Sequence, residues 1–250
     1  MGTLTINLDV PEFSTFFQTF PKVEIITGLH IRRQFYRKIA VSSLSKLLRE
    51  TFTCLRWFRY EQWHHVKPQQ QLRFEKDYKS LISLDLPSTL RDLSIFEDFK
   101  LLRPDRFARS TNRALGKALS KSSRFLKHLS AAFLVDAEHF FANFWPTKQQ
   151  DPNVIPWKNL RTLALTSRLL HPEIGRRKIN RLLMAAGLAA AFMPKLEVME
   201  IWNGGEGRAC LFRYSSNAGR PQITWASNWG LHVQLHDDVV HCWEALLRHG

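Results

Sequence analysis

The chain has 250 residues and a net charge of +14, from 36 Lys and Arg against 22 Asp and Glu. That length allows one domain with a sizeable core, and 18 Phe with 8 Trp exclude an intrinsically disordered chain. The surplus of positive charge bears on acidic partners and not on fold, and the scattered Cys54, Cys210 and Cys242 exclude a disulfide framework or a cysteine zinc site.

Met1 to Leu8 has no basic head and no apolar run, so it is not read as a signal peptide. Ile6 stands where a myristoylation motif needs Ser or Thr. Alternation of Met1, Leu4, Ile6 and Leu8 predicts a short first strand. An intracellular, cytoplasmic or nuclear, non-secreted protein is expected.

A six-residue phrase of the form L-x-x-L-x-L then recurs. It begins as Phe20-Pro-Lys-Val23-Glu-Ile25 and returns as Leu55-Arg-Trp-Phe58-Arg-Tyr60 and Leu90-Arg-Asp-Leu93-Ser-Ile95. Further copies are Leu126-Lys-His-Leu129-Ser-Ala131, Leu160-Arg-Thr-Leu163-Ala-Leu165 and Leu196-Glu-Val-Met199-Glu-Ile201. The starts at 20, 55, 90, 126, 160 and 196 are separated by 35, 35, 36, 34 and 36 residues. Each phrase ends in period-2 alternation, the pattern of a strand with one buried face.

Helical spacing fills the intervals. It covers Ser42–Glu50, with Leu44, Leu47 and Leu48; Gln69–Leu84, stopped by Pro87; Pro104–Phe125; and Arg177–Met193, stopped by Pro194. Ala137–Trp157 reads as a short helix and a loop. The longest apolar run, Leu182–Met193, is too short to span a bilayer, so no membrane association is expected. Beyond the last phrase, Ala209–Tyr214 and Gln222–Val233 predict a hairpin, and Val239–His249 a closing helix.

Strand, loop and helix at a fixed period predict an α/β fold, a leucine-rich-repeat-like solenoid over residues 1–250. It would have an all-parallel concave sheet, helices on the convex side, and a C-terminal β-hairpin plus helix cap over 207–250. Several segments resemble the C-terminal domain of fungal F-box-like proteins of unknown function. They are Phe20-Pro-Lys-Val-Glu with Ile31-Arg-Arg-Gln, Arg59-Tyr-Glu-Gln-Trp63, Leu90 to Phe99, Leu129 to Ala137, Leu163 to Arg168, Met193 to Asn203 and Ile223-Thr-Trp225. The resemblance implies a leucine-rich-repeat-like domain behind an N-terminal F-box and supplies no catalytic residues. No F-box is read in this chain, so ubiquitin ligase components are expected partners only where one lies upstream.

The pleat divides each strand. Lys22, Trp57, Asp92, His128, Thr162 and Val198 are predicted at one level of the open face. Glu24, Arg59, Ser94, Ser130, Ala164 and Glu200 come at the next, and Ile26, Glu61, Phe96, Ala132, Thr166 and Trp202 at the third. Glu24 and Arg59 would then form a cross-strand ion pair. The candidate protein-binding residues are Trp57, Arg59, Glu61, Asp92, Phe96, His128, Thr166, Arg168, Glu200 and Trp202, because Trp and Arg dominate binding hot spots. A basic stripe, Arg106, Arg109, Arg113, Lys117, Lys121 and Arg124, recurs at helical spacing. It offers an alternative function, contact with nucleic acid or an acidic partner, although no nucleic-acid motif accompanies it.

Enzymatic readings lack a constellation. His232, His236, His241, Cys242, Asp237 and Asp238 match no metal spacing. His64 and His65 have no nucleophile motif beside them, and Asn203-Gly-Gly-Glu-Gly207 reads as a turn leaving a strand. No cofactor, metal or catalytic residue is expected, and the function expected is a protein-interaction scaffold, which the resemblance narrows to the substrate-recognition domain of an F-box-type ubiquitin ligase adaptor.

Overall fold

The first Leu of each repeated phrase closes a turn and drops into the core. The N–H of Leu55 donates to Phe52 O, Leu90 to Pro87 O, Leu126 to Ser123 O, Leu160 to Trp157 O and Leu196 to Met193 O, at 3.0–3.4 Å. Leu55, Leu90, Leu126 and Leu160 are fully buried, each worth about 1.5–3 kcal/mol of apolar transfer. The next residue then bonds to the unit before it. Arg91 N–H donates to Arg56 O, Lys127 to Arg91 O and Arg161 to Lys127 O, each at 2.7 Å.

A computed structural model describes residues 5–6, 8, 21–34, 38–63, 75–98, 113–147, 153–205, 207–217, 220–229 and 235–248. Ten strands are seen, β1 Thr5–Ile6, β2 Gly28–Ile31, β3 Lys38–Ile39, β4 Trp57–Trp63, β5 Asp92–Asp98, β6 His128–Asp136, β7 Thr162–Thr166, β8 Val198–Gly205, β9 Arg208–Asn217 and β10 Arg220–Ser227. Eight of them form one sheet in the order β2-β4-β5-β6-β7-β8-β9-β10. β2 and β4 to β8 are parallel neighbours, whereas β8, β9 and β10 pair antiparallel. The sheet is therefore mixed and not all-parallel, because the hairpin joins its edge instead of capping it from outside. The hairpin's second strand ends at Ser227, short of the predicted Val233.

The predicted register holds at the first two levels from β4 onward. Trp57, Asp92, His128, Thr162 and Val198 are Cα partners in sequence, as are Arg59, Ser94, Ser130, Ala164 and Glu200. The first unit is different. Its strand begins at Gly28, and the turn-closing position is Ile26, whose N–H donates to Val23 O at 3.3 Å. Ile26, Leu29 and Ile31 keep the phrase, so this unit starts at 26 and not at 20, and the first interval is shorter than the rest. Lys22 and Glu24 precede the sheet; His30, and not Glu24, stands beside Arg59. The predicted first strand survives as β1, which pairs with β3 in a separate two-stranded sheet.

A second departure lies in β6. Ala131 pairs with Leu165, but Asp136 pairs with Thr166, so Ala132 to Val135 bulge out of the ladder. Phe133 within the bulge has φ 61°, a left-handed conformation rare for a bulky residue.

Helices cover one face. They are α1 Val41–Lys46, continued by a wider π-type turn Leu47–Thr51, α2 Arg113–Ser122, the short α3 Ala137–Phe140, α4 Arg176–Ala190 and α5 Asp237–Arg248. Residues 75–80 are also helical and lead into the π-type turn Leu81–Asp85. Leu44, Leu119, Ile179 and Leu183 share one apolar cluster with strand residues Phe58, Leu93, Leu129, Leu163 and Met199. α5 closes the cluster: buried Trp243 donates its indole N–H to Leu183 O at 3.1 Å and packs 5.2 Å from Phe212 and Tyr214. A Cβ at position 187 would lie 2.9 Å from that indole nitrogen, so Gly187 permits the close approach of α4 and α5. No helix among the described residues is long and apolar enough to cross a membrane.

Candidate functional site

Alternation leaves the other face of the sheet open, and there β2 and β4 to β8 line a groove of about 870 Å³. Its floor is small and polar, with Ser94, Ser130 and Ala164 side by side on β5, β6 and β7. Of the predicted binding residues, Arg59, Glu61, Asp92, Phe96, His128, Glu200 and Trp202 line the groove. The repeated phrase explains this convergence, since each comes from an open-face position of its strand.

Two of the groove acids have internal partners, and Asp92 Oδ1, buried without a hydrogen-bond partner among the described residues, lies near His128. Glu61 Oε1 lies 3.0 Å from His30 Nε2, Glu200 lies 3.4 Å from Arg213 on β9, and Asp92 Oδ1 is 3.6 Å from His128 Nε2. The His30 hydrogen bond holds the Glu61 carboxyl below its ordinary range. Arg59 is the exception: no carboxylate lies within ion-pair distance of it among the described residues. Its guanidinium lies 5.8 Å from the centre of the Trp57 indole. That indole in turn lies flat on the next strand's backbone, where a Cβ at Gly28 would sit 2.0 Å from the ring. Trp57 thus stands beside the groove and props Arg59.

Aromatic rings close one end. The Phe133 ring meets Phe96 edge-on at 6.0 Å and Trp202 edge-on at 5.1 Å. The bulge makes this possible, because it carries Phe133 out of the alternation and over the open face. Its N–H donates to Thr166 Oγ1 at 2.7 Å. Phe133 was not among the predicted residues. Its signal is the unbroken apolar run Ala131 to Val135, which departs from period-2 alternation as a bulge does.

Asp136 ends the bulge and is the second residue missed. One carboxylate oxygen accepts from Ser167 Oγ at 2.8 Å and from Glu138 N–H at 3.0 Å, capping α3. The other accepts from Arg168 N–H at 3.0 Å. This buried carboxylate ties the loop after β7 to the end of the bulge.

Other predicted residues stand elsewhere. Thr166 is buried, since the bulge replaces its expected partner Ala132 with Asp136 and uses its hydroxyl on Phe133. Arg168 is exposed outside the groove, its Nε 3.3 Å from Asp136. In the basic stripe, Arg113, Lys117 and Lys121 are exposed on α2. Arg124 is not a free surface cation. It stacks on Trp157 with its guanidinium 3.1 Å from the ring centre and donates to Ser120 O and Ile155 O. Burial lowers its pKa to about 10, which leaves it charged at neutral pH. Arg106, Arg109, His64, His65 and His232 lie outside the described residues.

The polar floor includes one chemically suggestive row. His128 Nδ1 lies 2.8 Å from Thr162 Oγ1, with Asp92 near the other ring nitrogen. Carboxylate, imidazole and hydroxyl stand in the order of a nucleophilic triad. The N–H groups of Asp92, His128 and Thr162 all donate to the preceding strand, at 3.1–3.3 Å. They are not available to stabilise an oxyanion, so the row holds three strands together at one level. Among the described residues, no three His, Cys, Asp or Glu lie close enough to hold a metal ion. Cys210, its thiol pushed up to about 12 by burial, is not a nucleophile at neutral pH.

Residues 85–250, which span β5 to α5, match a family described as a family of unknown function (DUF6546). The chain belongs to that family. The matched segment carries Asp92, Phe96, His128, Phe133, Glu200 and Trp202, while His30, Arg59 and Glu61 precede it. No curated protein and no solved structure matches the chain.

Proposed function

We propose that this protein is an interaction scaffold of the leucine-rich-repeat-like solenoid type, which holds a partner protein in the groove of its open sheet face. The observation that carries the reading is the groove itself, crossing six strands with a floor of small side chains and an aromatic wall. Small floor residues admit another chain at close range, and clustered aromatics are the side chains that dominate binding energy. The solenoid assignment is supported by the recurrent turn, strand and helix of the units before the last, which runs instead into the hairpin. A finer form makes the protein the substrate-recognition domain of an F-box-type ubiquitin ligase adaptor, acting inside the cell without covalent chemistry. That form rests on the resemblance of the repeated segments.

Replacing both Phe96 and Trp202 with Ala is expected to weaken binding of a pulled-down partner by about 2 kcal/mol or more. The variant's circular dichroism melt should stay near that of the wild type, because both rings are only half-buried. Undiminished binding by the folded double variant would refute the groove as the site.

A second reading, contact with nucleic acid or an acidic partner, is favoured by a different feature. Arg56, Arg91, Lys127 and Arg161 occupy one level on successive units, joined by backbone hydrogen bonds. Glu197 continues the row and pairs with Arg161, and the like charges at Arg56, Arg91 and Lys127 repel one another unless an anion lies across them. A steep fall of RNA or DNA affinity with salt, relieved by neutralising Arg56 and Lys127, would favour it.

A further inference from the structure

Resting on the groove reading, we infer that the partner segment is an extended peptide carrying a carboxylate for Arg59 and a large apolar side chain for the Phe96–Phe133–Trp202 wall. Three observations converge on that chemistry. Glu61 is hydrogen-bonded to His30 and Glu200 lies 3.4 Å from Arg213, whereas no carboxylate lies within ion-pair distance of Arg59 among the described residues. The Arg59 guanidinium is exposed and lies 5.8 Å from the centre of the Trp57 indole, which is itself seated on Gly28. A guanidinium presents a planar fork of donors that matches a carboxylate.

The aromatic wall supplies the second anchor. Phe133 holds a left-handed backbone conformation, and its ring fills the space between Phe96 and Trp202. Strain of this kind persists where surrounding structure enforces it, and it collects at binding sites. Arg59 on β4 and Trp202 on β8 are separated by four inter-strand steps, about 19 Å at the usual strand spacing. About six extended residues cover that span. A segment lying across the strands thus reaches both anchors, and its middle passes over Ser94, Ser130 and Ala164. A phosphate backbone would bring a charge at every nucleotide past Glu61, Asp92 and Glu200, whereas the inferred segment needs a single carboxylate, placed at Arg59.

The test is to pan a random twelve-residue phage-displayed peptide library on the full chain and on its Arg59→Glu variant. Recovered peptides are then titrated by fluorescence anisotropy against both chains and against Trp202→Ala. The expected wild-type consensus has Asp or Glu within about six positions of Trp, Phe or Leu. Arg59→Glu should weaken those peptides by about tenfold or more and select Lys or Arg in place of the acid. Peptides that lose affinity with Trp202→Ala but ignore Arg59→Glu would overturn this inference and leave the groove reading standing. Failure to recover peptides, recovery of peptides indifferent to both substitutions, or displacement by a poly-uridine oligonucleotide at physiological salt would overturn both.

Discussion

Lys121 and Arg124 belong to one basic stripe in the sequence and to two environments in the fold. Lys121 is exposed on α2, while Arg124 lies on the Trp157 ring and donates to two backbone oxygens. Arg124→Ala is expected to cost about 1–2 kcal/mol of stability in urea unfolding. Lys121→Ala should stay within about 0.5 kcal/mol. Helical spacing alone could not separate the two, because Trp157 comes from the following unit. Phe133 teaches the same lesson. Its backbone conformation costs about 1–2 kcal/mol, set against two edge-to-face contacts of about 0.5–1.5 kcal/mol each. The two contacts offset the cost of the backbone conformation, and they set the ring against Phe96 and Trp202, which line the groove.

Among the elements, β4 to β8 were legible in sequence in register at the first two levels, since one phrase sets both the buried and the open positions, but not at the third, where the β6 bulge sets Asp136 and not Ala132 beside Thr166. The first strand was not. Phe20-Pro-Lys-Val23-Glu-Ile25 and Ile26-Thr-Gly-Leu29-His-Ile31 both carry the apolar pattern, and an assumption of even spacing selects the wrong one. What decides for the second is tertiary: only a glycine at position 28 leaves room for the Trp57 indole. The β2–β4 joint makes a pH prediction. The hydrogen bond from His30 lowers the Glu61 pKa in the folded state. A lowered carboxyl pKa contributes stability that is complete above the unfolded value, about 4.3, and is lost as pH falls through the folded one. Urea midpoints measured from pH 6 to pH 3 should therefore fall further for the wild type than for Glu61→Gln. The two curves should converge at the acid end, since the other carboxyl groups titrate in both proteins.

At the scale of the whole molecule, the open sheet needs closing at its C-terminal end, and Trp243 does most of it. Its ring sits among Phe212, Tyr214 and the Leu183 carbonyl and is fully buried. Trp243→Ala should cost about 3–5 kcal/mol in thermal or urea unfolding, and Trp243→Phe, which keeps most of the ring volume, markedly less. The antiparallel closure was visible in sequence as a turn-rich hairpin, but its merger with the main sheet was not, because strand partners across an edge leave no local pattern. Strand order has a consequence of its own. In the main sheet each strand lies between its predecessor and its successor in the chain, with none slotted in later between two others. Every new strand therefore meets a partner that the ribosome has already delivered. The length-dependent part of the closure entropy is the same small sum for each unit of this size, roughly 3 kcal/mol. The sheet can be laid down in the direction of synthesis, one unit at a time, until the hairpin and α5 seal it.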